Sequence, residues 1–158
     1  MTEMKPLAER FAPLPPERAT VWMQLFGPAG PPLFPRLVGL VFEEVRVDYA
    51  RMRLPYRPEL NQPGGVVHGG ALTTLIDTVV VPAIASAHDA IPRMLTVSMT
   101  IDFLGALKEE DAIAEGWVEK RGKRTVFCAA HVRSASGVLT TRASLVYNVT
   151  AAANASGA

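Results

Sequence analysis

Cysteine, histidine and long uninterrupted apolar runs are scarce in this 158-residue chain. A single cysteine excludes an internal disulfide framework and suits a reducing compartment. Three histidines without metal-ligand spacing argue against a zinc site, so we expect no metal. No stretch reaches membrane-spanning length without a polar interruption, and the first ten residues have no apolar core, so we expect neither a membrane partner nor a secretory signal. A net charge of +1 gives no reason to expect nucleic acid as a partner, and we predict a cytoplasmic protein.

What the sequence does contain is a glycine-rich loop followed by a long apolar segment, NQPGGVVHGGALTTLIDTVVVPAIASA, at residues 61–87. The apolar part is about seventeen residues long, which favours a helix over a strand. We therefore predict a central buried helix that begins near Gly70. Pro82 has no N–H to donate to the carbonyl of Thr78, so we predict a kink or an early end to the helix there.

Asp77 is the only charged residue of this apolar segment. A buried carboxylate is costly unless it is paired or used, so Asp77 is the strongest functional candidate. The structural alternative is a carboxylate satisfied by Thr73, Thr74 or Thr78. Nine residues separate Asp77 from His68, which places them on opposite helix faces and about 13 Å apart along the axis. Within one chain they cannot serve the same substrate atom unless the helix begins well after His68, whereas a two-fold dimer with paired helices can bring them together.

The segments on both sides of the helix have the composition of strands. We predict strands at residues 40–47, 49–54, 94–104, 112–119, 125–133 and 138–149. In the third, alternation places Leu95 and Phe103 on one face and Thr96 on the other. Runs of strands with a segregated helix predict an α+β fold, an antiparallel sheet of five to six strands wrapped around one long central helix. One protomer leaves part of that helix uncovered, so we expect a dimer.

The chain divides into three parts by composition. Residues 1–36 are a proline-rich N-terminal extension and linker, with a short amphipathic helix over 17–26. Such an extension packs on the rim of a domain or covers a neighbouring subunit. Residues 37–149 form the domain, and we expect 150–158 to be a disordered tail.

The triplet His68-Gly69-Gly70 lies where the loop enters the helix. Unpaired N–H groups and the positive end of the helix dipole meet there, and glycines allow a ligand oxygen to come close. Such a site can form an oxyanion hole for an ester or thioester carbonyl. The alternative is a turn histidine before a tightly packed helix start.

Other residues give weaker signals. Cys128 and His131 lie three apart on a strand, hence on opposite faces, and cannot form a nucleophile–base pair. Residues 120–124 form the densest basic cluster, either a solvated hairpin or a phosphate contact, in which Gly122 can adopt a positive φ. The chain contains no G-x-S-x-G elbow, Walker motif or dinucleotide fingerprint.

The residues described so far resemble those of the hotdog-fold acyl-CoA thioesterases, in particular the phenylacetate-type (PaaI-like) branch. The resemblance covers about residues 37–149. It rests on Asn61…His68-Gly69-Gly70…Asp77, on the strand TVSMTIDFLGAL, and on the KRGKR hairpin before TVFCAAHVRSASGVLTTRASLVY. This combination is more specific than HGG alone.

The resemblance implies a site shared between two subunits. In it, the Gly69 N–H polarises the thioester carbonyl, and Asp77 of the opposing subunit acts as general base on water or as nucleophile. Asn61 and Thr96 position water and substrate, while His68 holds the loop and the thioester end. The implied substrate-binding residues are Gln62, Val67, Gly70, Leu104, Gly105, Lys108, Arg121, Gly122, Lys123 and Arg124. Coenzyme A enters as part of the substrate and not as a cofactor, and the implied assembly is a homodimer, further paired as a dimer of dimers.

The sequence departs from that family's pattern at two points. The family's asparagine comes six residues before the histidine, whereas Asn61 comes seven before and Gln62 six before. The family's proline-containing turn after the third strand is Gly105-Ala106-Leu107 here. The expected reaction is hydrolysis of a small or medium acyl-CoA, aryl acids included. The alternatives are a hotdog dehydratase or hydratase, with a His and an acid in one site, and a non-catalytic acyl-CoA-binding protein.

Overall fold

The computed structural model describes residues 6–152 of the chain. Its elements are a 3-10 helix (Leu7–Arg10), α1 (Pro16–Phe26), α2 (Phe34–Val38), β1 (Val41–Arg46), β2 (Tyr49–Leu54), a 3-10 helix (Pro58–Leu60), α3 (Gly69–Ala85), β3 (Arg93–Phe103), β4 (Ala112–Arg121), β5 (Thr125–Ser134) and β6 (Leu139–Thr150). The predicted order of two strands, one long helix and four strands is confirmed, and every predicted strand end is within two residues of the observed one. The short helix α2 was not predicted.

The six strands form one antiparallel sheet in the order β1-β2-β4-β5-β6-β3. The long helix α3 packs on this sheet, which confirms the predicted α+β hotdog architecture. The strands β1 and β3 form the two edges. An isolated bridge between Pro13 and Arg46 covers part of the β1 edge, whereas β3 has no second neighbour within residues 6–152.

Helix α3 is buried on one side only. Its sheet-facing side contains the fully buried residues Leu75, Ile76, Val79, Val80, Ala83 and Ile84. Burial of side chains of this size contributes about 1.5–3 kcal/mol each. The other side, at helical spacing, is half-buried or exposed and consists of Gly70, Thr73, Thr74, Asp77, Thr78 and Val81. One chain therefore leaves part of α3 uncovered, as we expected.

Pro82 does not end helix α3. The helix continues to Ala85, and the N–H of Ser86 donates to the carbonyl of Pro82 over 2.9 Å. Of our two predicted outcomes, the early end at Pro82 is therefore wrong, because this hydrogen bond after the proline is still made, and the kink stays a prediction.

The strand β3 contains a bulge that the sequence pattern did not predict. Its register against β6 shifts between Thr96 and Ser98, so one extra residue is inserted at Val97. A one-residue slip moves all subsequent side chains to the other face. The predicted separation of Thr96 from Phe103 is therefore wrong, and both side chains lie on the α3 side of the sheet.

The N-terminal extension packs on the domain. Trp22 of α1 is 4% exposed and stacks on Phe26, whose ring lies parallel to that of Phe42 on β1 with the centroids 6.0 Å apart. The Arg18 guanidinium donates to the carbonyl of Ser86, just after α3, over 2.7 Å. The extension thus joins the β1 edge to the end of the central helix.

The predicted chain ends are only partly visible. Strand β6 includes Thr150, which we had assigned to the predicted tail of 150–158. Residues 153–158 of that tail, and residues 1–5 of the predicted extension, lie outside the described residues.

Candidate active site

His68 caps the start of α3 and leaves one backbone donor free. Its Nδ1 accepts the N–H of Gly70 over 2.8 Å, which fixes the neutral ring with its proton on Nε2. The carbonyl of His68 accepts the N–H of Ala71 over 2.9 Å. The N–H of Gly69 has no acceptor among the described residues. Of the two predicted site glycines at the start of α3, Gly69 can therefore donate to a ligand oxygen, and Gly70 cannot with this histidine rotamer.

A cavity of about 390 Å³ opens beside the Gly69 end of α3. Five residues from the predicted site line it: Gln62, Val67, Gly69, Leu104 and Gly105. The ring of Phe103 forms another wall, so close that a Cβ on Gly69 would lie 3.1 Å from Phe103 Cζ. The Val67 N–H donates to the carbonyl of Leu107 over 2.9 Å, which joins the loop before α3 to the loop after β3 on the wall of the cavity.

The side chains of Asn61 and Gln62 behave differently. The Nδ2 of Asn61 donates to the Tyr56 hydroxyl over 3.0 Å, while its Oδ1 is buried and has no donor within the described residues. The Oε1 of Gln62 instead accepts the N–H of Gly64 over 2.6 Å, within its own turn. That turn is closed by a 2.9 Å bond from the Gln62 N–H to the Val66 carbonyl, and it takes up the extra residue before His68.

Two hydroxyl groups converge on one oxygen of Asp77. The Thr96 hydroxyl donates to Oδ1 over 2.9 Å, and the Tyr147 hydroxyl is 2.5 Å from the same atom. Tyr147 also lies 2.7 Å from the backbone carbonyl of Asp77, although its single proton serves one acceptor at a time. The other oxygen, Oδ2, has no donor in the part of the chain that the structure describes.

The threonines of α3 do not satisfy Asp77. The hydroxyls of Thr73, Thr74 and Thr78 each donate to the carbonyl four residues earlier, over 2.9, 3.0 and 2.7 Å. This is the usual local bond of a threonine within a helix. Our structural alternative for Asp77, a carboxylate held by these threonines, is therefore wrong.

Tyr147 is the residue of this site that sequence reasoning missed. It is 2% exposed, and burial together with the hydrogen bond to Asp77 raises the pKa of its hydroxyl well above the ordinary value, so it stays a neutral donor. A signal was present, since residues 143, 145, 147 and 149 alternate towards the core in β6. A buried tyrosine hydroxyl needs a partner, and Asp77 was the available one.

Within a single chain, the two parts of the site lie at opposite ends of strand β3. The Gly69 cavity lies at the Phe103 end of β3, and the Asp77 carboxylate lies at the Thr96 end. Eight residues of α3 separate Gly69 from Asp77, which is about 12 Å along the helix axis. The corresponding stretch of β3 is about 20 Å long.

Arg121, which we predicted to bind substrate, makes structural contacts at the end of α3. Its Nε lies 2.8 Å from Oδ1 of Asp48, and its Nη2 donates to the carbonyl of Ile84 over 2.7 Å in the last turn of α3. Its guanidinium is thus used to join the β1–β2 turn to the end of the helix. These contacts favour a structural role for Arg121, and its predicted role in substrate binding stays a prediction.

The remaining basic residues of the predicted site are exposed. Lys123 and Arg124 lie in the β4–β5 hairpin at the Thr96 end of the sheet. Lys108 lies at the Phe103 end, directly after residues 104–107, which line the cavity. Gly122 does not adopt the predicted positive φ. A Cβ on Gly122 would lie 2.9 Å from the Thr125 carbonyl oxygen, so close backbone approach accounts for this glycine.

Cys128 belongs to the core. It is 1% exposed, and burial raises the pKa of its thiol to about 12, which excludes a thiolate at neutral pH. His131 faces the other side of the sheet, where its ring meets Trp117 edge-on. Residues 6–152 contain no cluster of three metal-ligating side chains.

The antiparallel sheet around α3 defines a hotdog-fold protein, and comparison with known proteins gives its family. The model of the Thioesterase superfamily matches residues 64–141. "Putative esterase SSO1253" of Saccharolobus solfataricus is 29% identical over 89 residues, 56% of this chain and 59% of the relative. "Putative esterase PA0474" of Pseudomonas aeruginosa is 36% identical over 83 residues, 48% of this chain and 62% of the relative. The chain thus covers less than two thirds of the length of these relatives. It belongs to the thioesterase superfamily.

Solved structures have the same fold. The conserved protein PA5202 from Pseudomonas aeruginosa is 27% identical with a TM-score of 0.70, and the match covers 74% of this chain and 93% of that one. The Escherichia coli PaaI protein from the phenylacetic acid degradation operon is 18% identical with a TM-score of 0.68, covering 73% and 83%. At that identity the second match concerns the fold alone.

None of the helices within residues 6–152 is both long and apolar enough to cross a membrane.

Proposed function

We propose that this protein hydrolyses a small or medium acyl-CoA thioester, aryl acids included, and that it belongs to the PaaI-like branch of its superfamily. One observation carries the proposal: within residues 6–152, a backbone donor without an acceptor lies beside a cavity at one end of β3, a carboxylate oxygen without a donor lies at the other end, and the outer edge of β3 has no partner strand. The donor and the carboxylate are each half of a thioester hydrolase site.

Pairing of two β3 strands completes the site. The strand exposes the apolar side chains of Leu95, Val97, Met99 and Phe103, which are 37–63% exposed. An open apolar edge of this kind favours pairing with another strand. In an antiparallel pair about a two-fold axis near the middle of β3, the Thr96 end of one chain lies beside the Phe103 end of the other. Asp77 of the partner subunit then faces the cavity next to Gly69.

The chemistry follows from these two groups. The thioester carbonyl oxygen accepts the Gly69 N–H, which stabilises the negative charge that forms on that oxygen. As general base, Asp77 takes a proton from water while the water oxygen bonds to the carbonyl carbon. The carbon–sulfur bond then breaks, and coenzyme A leaves as a thiolate that takes up the proton. As nucleophile, Asp77 would attack the carbon itself and expel coenzyme A as a thiolate, and water would then hydrolyse the resulting anhydride to the free acid and the Asp77 carboxylate.

Asn61 and the basic residues supply the rest of the site. The buried Oδ1 of Asn61 lacks a donor among the described residues, which suits a hydrogen bond from the attacking water or from the pantetheine amide. Gln62 is bound within its own turn, so we assign the family's asparagine role to Asn61. In the dimer, Lys123 and Arg124 of the partner subunit lie near Lys108, where the three cations can bind the nucleotide phosphates.

A thiol-release assay on a panel of acyl-CoAs tests the proposal. Asp77→Asn keeps the shape of the side chain, so we expect a folded dimer whose kcat is at least about a hundredfold lower. Asp102→Asn, which removes a half-exposed carboxylate elsewhere on β3, is the matched control and should keep the wild-type rate. Wild-type turnover by Asp77→Asn would remove Asp77 from the mechanism.

The same panel distinguishes the alternatives. Binding of acyl-CoA without release of thiol would indicate a non-catalytic binding protein. Water addition to an enoyl-CoA without thiol release would indicate a hydratase. Either result would overturn the thioesterase proposal.

A further inference from the structure

We infer that Tyr147 is a positioning residue, which holds Oδ1 of Asp77 so that Oδ2 is the oxygen that reacts. The inference rests on the proposed function and deepens it, since it selects one of two chemically equivalent carboxylate oxygens. It starts from an asymmetry: both donors to Asp77 reach Oδ1, and no donor reaches Oδ2 within residues 6–152.

The two donors differ in how firmly they are held. Tyr147 is 2% exposed and lies on the interior strand β6, between Thr96 of β3 and Val126 of β5. Thr96 lies on the edge strand next to the bulge and is exposed. A hydroxyl on a ring packed in the core fixes the direction of a carboxylate better than one on a short side chain beside a bulge. Tyr147 is therefore the principal support of Asp77.

The second acceptor of Tyr147 strengthens this argument. Its hydroxyl lies within 2.7 Å of both the side-chain Oδ1 and the backbone carbonyl of Asp77. The hydroxyl thus lies beside the side chain and the main chain of one residue, and while its proton is donated to Oδ1 it restricts rotation of the carboxylate about the Cα–Cβ bond. With Oδ1 held against the sheet, Oδ2 is left for water or for the thioester carbon. A free carboxylate would have to lose this rotation during the reaction.

The chain offers a matched control in Tyr49. This tyrosine is also fully buried, and its hydroxyl donates to a carboxylate, Oε1 of Glu115, over 2.7 Å. Burial and a neighbouring carboxylate, Glu115 for Tyr49 and Asp77 for Tyr147, raise the pKa of both tyrosine hydroxyls. Tyr49→Phe therefore removes the same kind of bond as Tyr147→Phe, at a place that the proposed mechanism does not use.

The test compares kcat, KM and thermal stability of these two variants on an acyl-CoA that the wild type hydrolyses. We expect Tyr147→Phe to lower kcat by about ten- to a hundredfold with KM within about twofold, as for other supports of a reacting group. Tyr49→Phe should have a similar loss of stability and a kcat within about twofold of wild type. In an Asp77→Asn background, Tyr147→Phe should cause no further loss of the residual rate, because it acts through Asp77.

Three results would overturn the inference while leaving the proposed function intact. One is a wild-type kcat for folded Tyr147→Phe, and another is an equal fall of kcat in both tyrosine variants. The third uses Thr96→Val, which removes the other donor to Oδ1 and keeps the Tyr147 hydroxyl: with Tyr147 still bound to Oδ1, the variant should keep more than about a tenth of the activity. If it were as inactive as Asp77→Asn, Tyr147 would not hold the carboxylate. Absence of hydrolysis by the wild type, by contrast, would overturn the proposed function itself.

Discussion

Arg121 stabilises the end of the central helix, and Arg121→Met tests this assignment against our original one as a coenzyme A contact. The substitution keeps much of the aliphatic stem and removes the guanidinium. It leaves the carboxylate of Asp48 without its partner and the carbonyl of Ile84 without its donor. The Arg121 side chain is only 25% exposed, so water replaces these bonds incompletely.

The expected loss of stability follows from those contacts. A hydrogen bond to a charged group contributes about 1.5–3 kcal/mol, and a cation at a helix C-terminus adds about 0.3–1 kcal/mol. We therefore expect a loss of about 3 kcal/mol, which for a chain of this size lowers Tm by about 6–12 °C. The control is Arg142→Met, because Arg142 and Asp102 form an ion pair with side chains 61% and 52% exposed. Such a pair contributes about 0–1 kcal/mol.

Thermal unfolding at equal protein concentration, together with KM for an acyl-CoA, distinguishes the two roles. The structural role predicts a large fall in Tm for Arg121→Met, a small one for Arg142→Met, and an unchanged KM for both. An unchanged Tm with a raised KM for Arg121→Met alone would refute our reasoning and restore Arg121 as a substrate contact.

Two further predictions concern the exposed hairpin and the outer face of the sheet. Neutralising Lys123 and Arg124 should raise KM for acyl-CoA and barely change KM for a short pantetheine thioester, which lacks the nucleotide; equal changes on both substrates would indicate a structural role. Burial, and then Arg133 and Arg142, lower the pKa of His131. As pH falls below the unfolded value of about 6.5, the unfolded chain gains a proton that the native imidazole resists, so stability falls. Between pH 7.5 and 5.5, Tm should therefore fall less in His131→Gln than in the wild type, and equal slopes would contradict this.

The fold was largely predictable because its signals are local and agree with one another. Alternation, turn residues and one long apolar segment gave the number, order and approximate bounds of the strands. The same local signals gave Asp77, whose charge stands out among apolar neighbours. The loop before α3 was also predictable, since capping by His68 depends only on residues near the helix start.

The contacts of the site depend on features that a sequence pattern does not show. A single inserted residue at Val97 turns Thr96 towards Asp77, although strict alternation predicts the opposite face. Tyr147 is 70 residues from Asp77 in the sequence, so only the sheet order brings them together. Arg121 looked like a member of an exposed basic cluster, and only the position of Asp48 beside the end of α3 gave it a structural role.

The central claim is that each active site is completed by two chains, and mixed dimers test it most directly. Gly69→Val places a branched side chain against Phe103 and the cavity, and Asp77→Asn removes the carboxylate. Each homodimer should be inactive, because both of its sites lack one half. In a mixed dimer, one site lacks both halves, and the other pairs the intact Gly69 loop of one chain with the intact Asp77 of its partner.

Unfolding and refolding an equal mixture of the two variants should give about half mixed dimers by random pairing. Each mixed dimer has one good site of two, so thiol release should recover to about a quarter of the wild-type rate if the sites act independently. No recovery, after subunit exchange has been demonstrated, would mean that Gly69 and Asp77 act within one chain, and the shared site would be wrong.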